Sequence, residues 1–128
     1  MHAEQIWSST EIDLERVFYL SGPMMGYTEL NFPAFTKAAG ELRDAGMKII
    51  SPHELILPTD PDPDKEGLDY LANDFAVMAR DCNGIVLLKG WPRSVGARSE
   101  LEIALTLKWP VYYYHKFTLT NMNKEGTT

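Results

Sequence analysis

One uninterrupted apolar run, Gly84 to Leu88, constrains the fold of this chain more than any other feature. A strand that faces water on one side alternates apolar and polar residues, whereas a strand covered on both faces does not. Runs of the second kind occur mainly in parallel sheets that carry helices on both faces. The run therefore predicts a central strand of an α/β sheet.

Three other β-rich runs alternate with three segments of helical periodicity along the chain. The predicted strands span residues 16–21, 47–51, 84–88 and 109–114. The predicted helices follow the capping residues Asn31 and Ser94 and, between them, span 67–80. Such alternation predicts a parallel sheet, for which right-handed crossovers favour the strand order 2-1-3-4. We therefore expect a single α/β domain with a flavodoxin- or Rossmann-like sheet of four to five strands flanked by helices.

The 128-residue chain is long enough for one domain with a substantial core. We expect an N-terminal arm at 1–15, the α/β domain at 16–115, and a C-terminal tail or short terminal element at 116–128. The stretch LPTDPDPDKE at 57–66 lacks periodicity and predicts a surface loop. It is either a solvated connector or a mobile lid, because long loops in compact domains are often functional.

Composition argues against several classes of protein. The net charge is −6 without a basic patch, which disfavours nucleic-acid binding because phosphate contacts need clustered Lys and Arg. No apolar stretch is long enough to span a membrane. A single cysteine, Cys82, and an N-terminus without a signal-peptide pattern predict a cytoplasmic protein. The histidines lack metal-ligand spacing and no glycine-rich nucleotide motif occurs, so we expect no metal and no cofactor.

The predicted strand order reverses between the first and third strands. In open α/β sheets, ligands bind beyond the carboxyl ends of the strands at such a reversal. Two loops would meet there, and they are formed by Ser21, Gly22, Pro23 and Met24 and by residues 89–96. We therefore expect the ligand site between these loops.

Glu100 lies in the second turn of the third helix, three residues after one alanine and four before another. This spacing places its carboxylate on the inward face, whereas Glu102 points to water. Two explanations are open for an inward carboxylate near a helix N-terminus. In the first, the carboxylate interacts with Arg93, with Arg98 or with the helix dipole. In the second, it is a catalytic group beside an anion site formed by loop and helix amides.

Asp74 and Tyr19 are the other candidates for chemistry. Asp74 lies within the apolar stripe of the second helix. It is either salt-bridged to Arg80 or Arg43 or directed at the same site as Glu100. Tyr19, in the first strand, is either one of the aromatic residues that strands favour or a donor that orients a carboxylate. A carboxylate pair in a partly dry crevice suits cleavage of a glycosidic bond.

Four segments, in their order and spacing, resemble the nucleoside 2-deoxyribosyltransferase family and its relatives that hydrolyse nucleoside 5′-monophosphates. The segments are FYLSGPMMG, the pair Ser51-Pro52, LANDFAVMARDCNGIVLL and SVGARSELEIAL. The resemblance covers Val17 to Tyr114, which is most of the chain.

This resemblance implies roles for the residues named above. Glu100 matches the nucleophile that forms a glycosyl-enzyme intermediate, and Asp74 matches a carboxylate that contacts sugar hydroxyls or assists proton transfer. Tyr19 matches a tyrosine that holds the nucleophile. Gly22 and Pro23 match the loop that faces base and sugar.

The resemblance also bears on the substrate and on assembly. Ser94 and Gly96 fall where the phosphate-hydrolysing relatives bind a 5′-phosphate. The transferases carry an additional acidic residue in the preceding loop, which residues 91–94 lack, and this favours a phosphorylated substrate. In the family a neighbouring subunit's C-terminal segment completes the site, which implies a homo-oligomer, with Asn121 or Asn123 as the completing residue.

Two ligand-binding functions remain open from the sequence, beside that of an oligomeric scaffold using exposed Trp7, Trp91 or Trp109. The first is cleavage of the N-glycosidic bond of a (deoxy)nucleoside or nucleoside 5′-monophosphate, by transfer to another base or by hydrolysis. The alternative is a non-catalytic nucleotide-binding sensor or adaptor of the same fold. In both, the expected partner is a small-molecule nucleoside or nucleotide.

Overall fold

The computed structural model describes residues 12–55 and 67–123, with residues 67–73 described by their backbone alone. A five-stranded sheet forms the centre of the fold. Its strands are β1 (Val17–Ser21), β2 (Lys48–Ile50), β3 (Gly84–Leu87), β4 (Val111–His115) and β5 (Thr118–Asn121). The helices are α1 (Phe32–Asp44), α2 (Gly67–Asp81) and α3 (Val95–Thr106).

The strand order is β2-β1-β3-β4-β5. The first four of these pair in parallel, and β5 runs antiparallel to β4. The predicted order 2-1-3-4 and the predicted α/β class are thus confirmed. The position between β1 and β3, where the order reverses, is the place at which sheets of this kind leave a crevice for ligands.

The fifth strand comes from the segment that we expected to form a tail or short terminal element. Lys116 and Phe117 connect it to β4, with φ angles of 46° and 65°. Two successive residues of positive φ match the turn that joins tightly twisted antiparallel strands. Neither residue is the Gly, Asn or Asp that usually marks such a turn, so the local sequence carried no signal for the hairpin.

The two faces of the sheet bury different clusters of side chains. From β1, Phe18 and Leu20 pack with α1, whereas Tyr19 packs with residues of α2 and α3. Successive strand residues point to opposite faces, so Ser21 shares the face of Tyr19. The α2–α3 face therefore carries both of the polar side chains that β1 contributes.

Helix α1 begins where predicted, but its capping differs from the prediction. Asn31 precedes the helix with a φ of 62° and forms no side-chain capping bond. Its side-chain amide instead donates to the carbonyl oxygen of Pro23 at 2.9 Å, because the left-handed backbone directs the side chain away from the first turn. The prediction of Asn31 as a hydrogen-bonding cap was therefore wrong.

Helix α3 is capped as predicted, since the Ser94 hydroxyl accepts from the Ala97 amide at 3.1 Å. Ala97 and Ala104 are buried, but Leu105, which the helical spacing of the apolar residues also places on the inward face, is 48% exposed. The buried face of α3 is narrow. Leu105 follows Ala104 by one residue, and the rotation of the helix by that residue places it outside the buried face.

Several expectations fall on residues outside the described part of the chain. They are the loop at 57–66 and most of the N-terminal arm, together with residues 124–128. Within the described part, no helix combines the length and the hydrophobicity that crossing a bilayer requires.

Candidate active site

Glu100 is the buried acidic residue around which the candidate site is built. Its side chain is only 4% exposed, and it projects from α3 toward the carboxyl end of β1. There the fully buried Ser21 hydroxyl donates to Glu100 Oε1 at 2.5 Å. Because this bond engages one carboxylate oxygen, it fixes the orientation of the whole group.

No arginine neutralises Glu100 among the described residues. Arg93 and Arg98 are exposed, and neither forms an ion pair with Glu100 within the described residues. The explanation of Glu100 as one half of an ion pair was therefore wrong. Glu102, two residues after Glu100 and therefore on the opposite side of the helix, is exposed as predicted.

Asp74 reaches the same place from α2. It lies close enough to Glu100 and to the Tyr19 hydroxyl for hydrogen bonding to both to affect its pKa. The proposed salt bridges to Arg80 and Arg43 are wrong, because Arg80 pairs with Asp81 and Arg43 pairs with Glu54. Two acidic side chains from different helices therefore meet on one face of the sheet.

Burial controls the protonation of this carboxyl pair. Desolvation raises the pKa of Glu100 to about 8; the Ser21 hydrogen bond opposes this rise, and the negative charge of Asp74 adds to it. Desolvation also raises the pKa of Asp74 to about 6, against hydrogen bonding with Tyr19 and Glu100. Like charges held this close disfavour double ionisation, so the pair retains one shared proton near neutral pH.

Tyr19 lies beneath the carboxyl pair and is completely buried. Burial, and then the charges of Glu100 and Asp74, raise the pKa of its phenol, so the hydroxyl stays protonated. The hydroxyl forms no close hydrogen bond among the described residues. Asp74 lies near enough for a longer, weaker hydrogen bond with it. Tyr19 is thus a neutral donor facing two acidic groups.

The loop after β1 packs tightly against the loop after β3. A Cβ added at Gly22 would lie 2.9 Å from Leu88 Cβ, and the Leu88 amide donates to the Ser21 carbonyl at 2.8 Å. Pro23 is buried and Met24 half-buried. The two loops predicted to border the ligand site therefore do lie together, and only glycine fits their closest approach.

The start of α3 presents backbone amides beside this site. The Ser94 hydroxyl caps Ala97, while the amides of Val95 and Gly96 belong to the first turn, where no intrahelical acceptor exists. Such amides, with the positive end of the helix dipole, form a natural anion site.

Sequence reasoning missed the direct partner of Glu100. Ser21 was expected only as part of the substrate loop, whereas it is the residue that holds the carboxylate. Its position as the last residue of β1, on the face of Tyr19, is the signal that could have identified it. Tyr19, to which the resemblance assigned that holding role, forms no close hydrogen bond among the described residues, but its hydroxyl lies near enough to lower the pKa of Glu100.

The suggestion that Asn123 completes a neighbouring subunit's site conflicts with its contacts. Asn123 Oδ1 accepts from the Val111 amide at 2.7 Å, and Nδ2 donates to the Trp109 carbonyl at 3.0 Å. Its own amide donates to Asn121 Oδ1. The Asn123 side chain therefore fastens the C-terminal segment to the start of β4 and the residues before it, and Asn121 holds Asn123 in place.

Metal binding has no candidate group in the described part of the chain. No cluster of three or more His, Cys, Asp or Glu side chains there could hold an ion. Cys82, half-buried, has its pKa raised to about 12 by burial and by Asp81, which makes it a poor nucleophile.

The fold defines a structural class. The structure matches that of a 2-deoxyribosyltransferase from the psychrotolerant bacterium Bacillus psychrosaccharolyticus, with a TM-score of 0.59 and 18% sequence identity. The match covers 88% of this chain and 91% of the other, and it shows that the two share a fold. The chain belongs to the family described as a domain of unknown function, DUF4406, whose model matches residues 16–113. No curated protein sequence matches the chain significantly.

Proposed function

We propose that this protein cleaves the N-glycosidic bond of a nucleoside or nucleoside 5′-monophosphate, with Glu100 as the nucleophile. The observation that carries the proposal is the buried pair Glu100 and Asp74, with Ser21 orienting one of the two groups. The fold shared with a 2-deoxyribosyltransferase supports the same class of reaction.

The first step follows from one proton shared by two carboxyl groups. The ionised Glu100 attacks C1′ of the sugar, forming an ester as the bond from C1′ to the base nitrogen breaks. Asp74 gives its proton to the departing base, so the base leaves neutral. Burial raises the pKa of both groups, to about 8 for Glu100 and about 6 for Asp74, so the shared proton must pass from Glu100 to Asp74 before the attack. The Ser21 hydrogen bond, which favours the ionised form of Glu100, supports this transfer.

The second step regenerates the pair. Water, or the nitrogen of a second base, attacks C1′ and breaks the ester to Glu100. The incoming group gives its proton to Asp74, and Glu100 leaves as a carboxylate. Attack by water makes the protein a hydrolase, and attack by a base makes it a transferase.

Ser21 favours the ionised form of Glu100. Its hydroxyl donates to Oε1, which lowers the pKa of Glu100 against the larger effect of burial. The second oxygen, Oε2, is then the one that attacks C1′. Tyr19, as a neutral donor below the pair, stabilises the charge that moves from Glu100 to Asp74.

A phosphorylated substrate suits the loop before α3. The segment from Trp91 to Ser94 carries no acidic residue that would repel a phosphate. The amides of Val95 and Gly96 and the Ser94 hydroxyl offer donors at the positive end of the helix. We therefore favour nucleoside 5′-monophosphates over free nucleosides.

The test is incubation with a panel of nucleosides and nucleoside 5′-monophosphates, followed by chromatography for free base. Glu100→Ala should reduce base release by more than about a thousandfold. Glu102→Ala, on the exposed side of the same helix, is the matched control and should leave turnover unchanged. Exchange with an added second base indicates a transferase, and sugar phosphate indicates a hydrolase.

Equal turnover by Glu100→Ala and the wild type would exclude the mechanism. Tight nucleotide binding without any product, measured by calorimetry, would instead support the sensor or adaptor function.

A further inference from the structure

A concave site lies beside the 90–93 loop, on the β4 side of the carboxyl pair. Its volume is about 380 Å³, within the range of small-molecule pockets. It is lined by Gly90, Trp91, Pro92, Arg93, Tyr113 and Met122.

The sheet register separates this pocket from the carboxyl pair. Ser21 pairs with Leu87 across β1 and β3, and Leu87 pairs with Tyr113 across β3 and β4. Tyr113 thus lies two strand spacings from Ser21, roughly 10 Å away, with the buried Leu87 between them. None of Glu100, Asp74 and Tyr19 lines the pocket.

The charge of the pocket is positive, in contrast to the chain as a whole. Arg93 is exposed and has no acidic partner among the described residues. No acidic residue lines the pocket, although the net charge of the chain is −6. An unpaired guanidinium on a concave surface is suited to phosphate, which it binds with paired hydrogen bonds.

The walls of the pocket suit a planar group. Trp91 and Tyr113 are both half-buried, so each leaves part of its ring accessible. The Tyr113 ring also lies nearly parallel to that of His115, with an interplanar angle of 10° and a centroid distance of 6.1 Å. Accessible aromatic rings bind heterocyclic bases by stacking, with little dependence on which base is bound.

We propose that this pocket binds an aromatic phosphate monoester, with the planar ring against Trp91 and Tyr113 and the phosphate on Arg93. A nucleoside 5′-monophosphate has this chemistry. Binding here involves no covalent step and needs no contribution from Glu100, so this second site is independent of the catalytic proposal.

The test uses phenyl phosphate, which has the required ring and phosphate but no N-glycosidic bond. It is titrated into the ¹⁵N-labelled full-length protein, and the indole N–H resonances are followed by NMR, with assignment by Trp91→Phe. We expect a saturable shift of the Trp91 resonance but not of the Trp109 resonance. Inorganic phosphate alone and phenol alone should each bind more weakly.

Two arginine variants isolate the contribution of the pocket. Arg93→Gln should weaken phenyl phosphate binding about tenfold or more, the value of a charge-assisted hydrogen bond. Arg98→Gln makes the same charge change at an exposed position outside the pocket and should leave the affinity unchanged. Both side chains are exposed, and equal melting temperatures would confirm that both variants fold.

Three results would overturn this second site. The first is the absence of a saturable Trp91 shift. The second is an equal loss of affinity in Arg93→Gln and Arg98→Gln, which would indicate attraction by general charge. The third is binding that Glu100→Gln removes and Arg93→Gln does not, which would put the ligand at the carboxyl pair. A protein inactive on every nucleotide of the panel could still show the Trp91 shift, so the two proposals fail independently.

Discussion

At the scale of single residues, one hydroxyl and one neighbouring carboxyl set the state of Glu100. Burial withdraws water from the carboxylate, and no cation replaces it among the described residues. The Ser21 hydroxyl and, to a smaller extent, the Tyr19 hydroxyl lower the pKa of Glu100, whereas Asp74 raises it. This arrangement costs stability at high pH and supplies a reactive group at neutral pH.

Ser21→Ala tests the hydroxyl. Loss of the donor removes an interaction that favours the ionised form, so the pKa of Glu100 should rise. We expect kcat/KM for base release to fall about 10- to 100-fold, as for other hydrogen bonds to charged groups. The acidic limb of its pH profile should move to higher pH. The pH profile of kcat/KM is the measurement, with Thr36→Ala, exposed on α1, as the control. An unchanged acidic limb would mean that Ser21 has no part in the ionisation.

Glu100→Gln tests the effect of burial on stability. Burial raises the folded-state pKa of Glu100 to about 8 and of Asp74 to about 6, above the values of roughly 4 in an unfolded chain. The folded state therefore binds more protons, and the stability present at acidic pH is lost as pH rises through these folded-state values. The difference in melting temperature, Glu100→Gln minus wild type, should consequently be more positive at pH 9 than at pH 5.

The control for this comparison is Glu102→Gln, which alters an exposed carboxylate of the same helix. Its melting temperature relative to wild type should change little between the two pH values. If the melting-temperature difference between Glu100→Gln and wild type were the same at pH 5 and pH 9, the buried carboxyl would have an ordinary pKa.

At the scale of elements, α3 combines two functions at its N-terminus. The Ser94 cap determines where the helix starts, and the start determines that Glu100 faces β1 and not solvent. The same first turn offers the free amides of Val95 and Gly96. The loop before it borders both the carboxyl pair and the aromatic pocket, so its conformation matters for both.

Ser94 variants separate capping from anion binding. Ser94→Ala removes the bond to the Ala97 amide and should destabilise the protein by about 1 kcal/mol. Ser94→Asp retains a good cap but places a negative charge at the anion site. We expect it to keep wild-type stability, measured by urea unfolding, and to raise KM selectively for phosphorylated substrates. Equal effects on nucleosides and monophosphates would exclude a phosphate at this position.

Gly90→Ala tests the packing of the loop. Gly90 has a φ of 91°, and an added Cβ would lie 3.0 Å from the Tyr27 hydroxyl and 3.1 Å from Pro23 Cγ. We expect a loss of about 1–2 kcal/mol in the free energy of unfolding. Gly40→Ala, in the exposed middle of α1 with open space around it, is the control and should gain up to about 1 kcal/mol. Similar effects of the two changes on urea unfolding would mean that the loop tolerates a side chain.

At the scale of the whole molecule, the topology brings the site together. Parallel pairing of β1 with β3 aligns their carboxyl ends, and the two following segments must then pack side by side. The homo-oligomer implied by the family resemblance stays a prediction. Asn121 and Asn123 form hydrogen bonds within their own chain, and the prediction that one of them completes a neighbouring site stays a prediction.

Local patterns were sufficient for the strand order and for the inward direction of Glu100, since periodicity within one helix or strand depends only on neighbouring residues. Contacts between distant segments were beyond such patterns. Ser21 and Glu100 are 79 residues apart, and nothing near either residue specifies the bond between them. Packing between separate elements likewise decides the pairing of β5 with β4, the lack of a cation beside Glu100 among the described residues, and the aromatic pocket. None of these follows from the chain around a single residue.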